Sequence, residues 1–262
     1  MLKMEDKNKV VFIIAHRYVK GYPTYIKYYI DNIKRFYENH LIIVVDNNSI
    51  RKEDVFDNIE KCDSVVLLEN NTDCKFELGA YMVGMRYLMD KNIEDYEYIV
   101  FTQDNYVIKN KVDFNDLYSK NVMACPIVGC GSECERIQNY VCAENGNIQD
   151  ICIPIYTKLD LMNDLDKITF CWCVSFIVHR ERLKSLYDYT KQINISIRWE
   201  SEASERYMAR ILYELNGKKN HSIDGDWNID LWNGSMNSDI FADSQYHFVK
   251  TLQKKTEKTI EE

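Results

Sequence analysis

The chain has 262 residues, 46% of them hydrophobic and 28% charged, with 41 Asp and Glu against 33 Lys and Arg for a net charge of -8. That length suits one large α/β domain or two small ones with a sizeable core, and the composition excludes an intrinsically disordered chain. The acidic balance offers no broad basic footprint, so neither a nucleic acid nor an anionic membrane is the expected partner.

The first apolar run, Val10 to Ile14, is too short for a secretory signal and reads as a strand over 10–15. No stretch approaches the roughly 18 apolar residues of a membrane span, so a cytoplasmic protein without a transmembrane segment is expected. The nine cysteines are then expected as reduced thiols. Cys125, Cys130, Cys134, Cys142 and Cys152 cluster, but without the close pairs, about two residues apart, that zinc sites use.

A helix is predicted over 23–37, where Tyr22, Tyr25, Ile26, Tyr29, Ile30, Ile33 and Phe36 recur at threes and fours and Pro23 suits a first turn. "LIIVVDNNS" follows, a β-branched strand over 41–45 closed by Asp46, Asn47, Asn48 and Ser49, as in a central strand of a parallel sheet. A short helix over 52–61, a strand over 64–71 and a helix in "FELGAYMVGMRYLMDKN" come next. Gly79 and Gly84 lie in the body of that helix, where glycine costs up to about 1 kcal/mol against alanine, so a close approach to a ligand or to the sheet is expected. The fourth strand, over 98–102 in "EDYEYIVFTQDNYVIKN", runs straight into Gln103, Asp104 and Asn105.

Strands alternating with helices predict a doubly wound, mostly parallel sheet with helices on both faces. Ligands of such sheets bind at the carboxyl ends of the strands, which is where these polar groups stand, although Asp and Asn also suit ordinary turns. Neither GxGxxG nor GxxxxGK[ST] occurs, which argues against a dinucleotide dehydrogenase and a P-loop kinase.

The segments "VVFIIAHRY", "IIVVDNNS", "FELGAYMVGMRYL" and "YIVFTQDNYVI" together resemble the first half of a GT-A type glycosyltransferase: a first strand, a second ending in an acidic turn, a helix of small residues, and a strand ending in a DxD motif. The resemblance implies a single GT-A-like domain, with a Rossmann-like nucleotide-sugar-binding half over 10–110, an acceptor and catalytic half over 111–245, and a tail over 246–262. It places the donor, a UDP or GDP sugar, against His16, Arg17, Tyr18, Asp46, Lys75, Glu77, Gln103 and Asp104. The acceptor would be a glycan or glycoconjugate hydroxyl.

The DxD position reads Gln103-Asp104-Asn105 here, so two amides flank the acid. The resemblance implies a manganese or magnesium ion held by Asp104 and Asn105, with His221 as a further ligand; hard cations prefer carboxylate oxygens, so one acid predicts a weaker site. A metal-independent enzyme stays open.

Further along, 174–178 reads as a strand and 199–217 as a helix with Ser201 or Ser204 as its cap. The resemblance places the catalytic base among the acids there, first Glu202 and then Glu205; acids in a first helical turn also favour the helix dipole without any catalytic role. Trp227 and Trp232 suit an acceptor sugar by stacking. Two other readings stay open: a nucleotidyltransferase, and a non-catalytic carbohydrate- or partner-binding domain.

Overall fold

A computed structural model describes residues 9–18, 25–49, 56, 59–108, 110–114, 141–142, 146–162, 171, 174–217, 228–231 and 248–251. In chain order the elements are β1 (Lys9–His16), α1 (Ile26–Phe36), β2 (His40–Asp46), β3 (Val65–Glu69), α2 (Phe76–Asp90), β4 (Tyr96–Gln103) and β5 (Tyr106–Ile108). A short antiparallel pair, β6 (Val141–Cys142) and β7 (Gly146–Asn147), leads into α3 (Ile148–Lys158) and β8 (Phe176–His179). After a 3-10 turn at Arg180–Arg182 come α4 (Leu183–Thr190), α5 (Arg198–Leu215), β9 (Asn228–Leu231) and β10 (Phe248–Thr251).

The main sheet has the order β3-β2-β1-β4-β8, with β8 alone antiparallel to its neighbour. The chain lays β2 and β3 on one side of β1, then crosses to the other side for β4. The order therefore reverses between β1 and β4, and a sheet of this kind opens a crevice at the carboxyl ends of those two strands.

Both faces of β1 are buried, and successive residues point to opposite sides. Val10, Phe12 and Ile14 pack with Tyr29, Ile30 and Ile33 of α1, whereas Val11, Ile13 and Ala15 pack with Leu78, Tyr81 and Met85 of α2 and with the helices beyond it. Burying each Val, Ile, Leu, Phe or Met side chain among these contributes roughly 1.5–3 kcal/mol. The same alternation governs β4. Tyr98 and Val100 lie on the α1 side and Thr102 is bonded to Tyr29 Oη at 2.9 Å, while Ile99 and Phe101 lie on the α2 side. Phe101 stacks on Phe176 of β8 at 4.4 Å, and the Tyr81 ring meets both edge-on.

The helix glycines are explained by protein packing. A Cβ on Gly84 would lie 2.6 Å from Ile13 Cγ2, so its absence lets α2 sit close on β1. A Cβ on Gly79 would overlap the Cys74 carbonyl oxygen and lie 2.6 Å from Asn70 Nδ2, because the turn before α2 folds back over the helix. Asn70 shapes that turn: its Nδ2 donates to the Cys74 carbonyl at 2.8 Å and its Oδ1 accepts from Thr72.

Several boundaries differ from the sequence expectation. The strand near 174 begins at Phe176, because Val174 is held at φ 49°, a left-handed conformation that a β-branched residue seldom adopts. The long helix begins at Arg198, which puts Ser201 and Ser204 inside it rather than at its cap. Helix α3, which carries Pro154, is an addition to the elements read from sequence. The closing segment, expected as a tail from 246, contains β10, which joins β5 and β9 in a second sheet. Of the helix expected over 52–61, the described residues 56 and 59–61 are not helical.

Candidate functional site

A cavity of about 480 Å³ opens at the carboxyl ends of β1, β2 and β4, over the point where the strand order reverses. Ala15, His16 and Arg17 line it from β1, Asn47 and Asn48 from the turn after β2, Gln103 and Asp104 from β4, and Lys75, Phe76 and Glu77 from the start of α2; Ser196 closes one side.

The parity of β4 decides what the two polar residues at its end can reach. Asp104 falls on the α1 side. Its backbone N–H extends the ladder to the Ala15 carbonyl at 3.1 Å, and its Oδ2 accepts from His16 Nδ1 at 2.7 Å and from the Arg17 N–H at 3.1 Å. His16 is almost fully buried. Gln103 falls on the α2 side, where its Nε2 donates to Glu77 Oε1 at 2.8 Å. The other oxygen of Glu77 accepts from Ser201 Oγ at 3.1 Å, so this carboxylate joins β4, α2 and α5.

Asp46 is buried and serves the turn after β2. Its Oδ1 accepts from the Ser49 hydroxyl and the Ser49 N–H, and Ser49 Oγ in turn accepts from the Tyr18 N–H at 2.8 Å. Asp46 thereby holds the Tyr18 backbone beside the cavity without lining it. Asn48 and Phe76, which do line it, are held at φ 60° and 58°. Strain of this kind costs about 1–3 kcal/mol per residue and gathers at ligand sites.

The acids of α5 stand elsewhere. Glu202 pairs with Arg198 at 2.9 Å, and neither Glu202 nor Glu205 is among the residues lining the cavity. Glu200 works as a cap: its carboxylate accepts from the N–H groups of Ser196 and Ile197 and from Ser196 Oγ. Burial pushes this carboxyl up, but those three bonds outweigh burial and hold it below its ordinary value. His221, Trp227 and Trp232 lie outside the described residues.

The buried thiols of Cys74 and Cys152 offer no ready nucleophile. Burial pushes the Cys74 thiol up, and pushes that of Cys152 up to about 11.

Among the described residues the groups at the cavity do not make up a divalent-cation shell, and His221, the third expected ligand, lies outside them. Asp104 Oδ2 already takes two hydrogen bonds, each Glu77 oxygen takes one, His16 Nδ1 is turned onto Asp104, and Asn105 is not among the residues lining the cavity. Asp104 Oδ1 is the one carboxylate oxygen of the cavity without a hydrogen bond among the described residues. No group of three or more His, Cys, Asp and Glu suited to a metal ion occurs among the described residues. Magnesium and manganese gather several hard oxygens in a regular shell.

Sequence reasoning located Arg17, Lys75, Glu77, Gln103 and Asp104 at the cavity together with His16. It missed Asn47, Asn48, Phe76 and Ser196 as wall residues. Phe76 and Ser196 carried no motif; Asn47 and Asn48 were legible as neighbours of Asp46 in the same turn.

No protein-family model matches the chain, and no curated protein matches it. Among solved structures, WbbM, described as a bifunctional glycosyltransferase in its apo form, is similar at a TM-score of 0.48 and 12% identity, over 95% of this chain and 46% of that one. The chain thus spans less than half the length of that protein.

Proposed function

We propose that this chain is a glycosyltransferase that moves a sugar from a UDP or GDP sugar to the hydroxyl of a glycan or glycoconjugate. The observation that carries the reading is the position of the cavity, over the reversal of strand order between β1 and β4, with charged and polar side chains converging from four elements. A sequence that resembles the GT-A type puts its strand-end residues at this same place, which supports the reading from a second direction.

In such a transfer the bond between the anomeric carbon and the diphosphate oxygen breaks as the acceptor oxygen bonds to that carbon, and the acceptor's proton passes to a base. Glu77 and Asp104 are the acids lining the cavity. Asp104 binds inward to His16 and Arg17, whereas Glu77 is aimed by donors from β4 and α5 and keeps lone pairs for a further proton. We therefore assign the base to Glu77 in place of Glu202 or Glu205. Asp104 Oδ1 is left to accept a donor hydroxyl.

Thermal melting of the purified chain against UDP, GDP, CDP and CMP sugars tests the reading. A ligand at about 100 times its Kd stabilises by about 2.7 kcal/mol, which raises the melting point by several degrees. A rise with a UDP or GDP sugar is expected; no rise with any of them removes the reading.

A further inference from the structure

Two cations line the cavity, each from a different element. Arg17 follows β1 and Lys75 precedes α2; both are exposed, and both line the cavity. Their backbones are pinned, Arg17 N–H on Asp104 Oδ2 at 3.1 Å and Lys75 N–H on the Ile195 carbonyl at 2.7 Å. Among the described residues neither side-chain cation has an ion-pair or hydrogen-bond partner. Elsewhere in this acidic chain several cations do find acids: Lys9 meets Asp95, Lys27 meets Asp31, Lys184 and Lys191 meet Asp188, and Arg198 meets Glu202.

The carboxylates of the cavity show the opposite condition. Glu77 is engaged on both oxygens and Asp104 on one, by donors that belong to the protein itself. The negative groups are thus largely satisfied from within, and the positive groups are left open to the cavity. A ligand that completes such a site brings its own negative charge. An arginine fork beside a lysine point charge suits the oxygens of a diphosphate.

We infer that the cavity binds the diphosphate of its nucleotide through Arg17 and Lys75, without a bridging divalent cation. The two side chains take the place that the metal expected at Gln103-Asp104-Asn105 would fill. This rests on the nucleotide-sugar reading above and specifies how the charge of that donor is met.

Isothermal titration calorimetry of the full chain with UDP, GDP and inorganic pyrophosphate, each in EDTA and in manganese chloride, tests it. Expected is binding of UDP or GDP in EDTA with a Kd within about threefold of that in manganese, and at least tenfold weaker binding by Arg17→Ala and by Lys75→Ala at unchanged melting points. Arg17→Lys should recover part of the loss. Nucleotide binding that disappears in EDTA and returns with manganese overturns the inference and leaves the nucleotide reading standing. So do variants that both bind as the wild type does. Pyrophosphate binding in EDTA, lost in both variants, with no gain from either nucleoside, keeps the cation pair and overturns the nucleotide reading. Absence of binding by all three probes overturns both.

Discussion

His16 Nδ1 stands 2.7 Å from Asp104 Oδ2, and through this contact the last residue of β1 grips the residue that follows β4. Asp104 also holds the Arg17 N–H, so one carboxylate fixes the chain on both sides of the crevice. Asp104→Ala leaves a buried imidazole and a backbone N–H without their acceptor. A loss of about 1–3 kcal/mol is expected in urea unfolding, with the denaturant slope unchanged. Asp104→Asn, which keeps an oxygen at the same place, should lose less.

Glu77 carries the proposed chemistry, and its substitution should separate activity from stability. Glu77→Gln keeps an oxygen for one donor, and Ser201 can accept from the new amide in the same place. The unfolding free energy should change by less than about 1 kcal/mol, while transfer in a donor-consumption assay falls at least about 100-fold. Activity that persists in this variant would return the base to Glu202 or Glu205.

The two glycines of α2 should differ in their response to alanine. At Gly84 the new methyl meets the Ile13 side chain, which can shift, so a cost of about 1–3 kcal/mol is expected. At Gly79 it meets the Cys74 carbonyl, which belongs to the turn that presents Lys75, Phe76 and Glu77. Gly79→Ala should cost more in urea unfolding and should also weaken nucleotide binding in calorimetry, whereas Gly84→Ala should spare binding.

The cap at Glu200 gives a pH signature. Its carboxyl is held below the ordinary value of 4.5, so it binds fewer protons folded than unfolded near that pH. The stability it adds is present above pH 4.5 and is lost as the pH falls through the depressed value. Glu200→Gln should therefore cost about 1 kcal/mol at neutral pH, the scale of a helix cap, and progressively less in acid. Unfolding midpoints of both proteins across that range measure it; a gap that persists in acid would mean that packing, not charge, carries the cap.

Much of the first half was legible in the sequence because its signals are local. The β-branched runs ending at Ala15, Val45 and Thr102 announce strands buried on both faces. The polar residues that close them then mark the carboxyl edge, where a doubly wound sheet opens its crevice. The single acid between two amides at Gln103-Asp104-Asn105 could also be read directly.

What only the tertiary structure decided is how these residues meet. Parity along β4 sends Asp104 to the α1 side and Gln103 to the α2 side, so neighbours in sequence join different networks. Ser201 reaches Glu77 across 124 positions, and the helix dipole alone could not tell that Glu202 would turn to Arg198 instead. The short strands β9 and β10 were invisible for a related reason. Four-residue segments have little periodicity of their own, and their backbone hydrogen bonds are met by partners far along the chain, β5 among them. Sequence therefore determined where the polar groups gather, and packing determined which of them the protein itself satisfies.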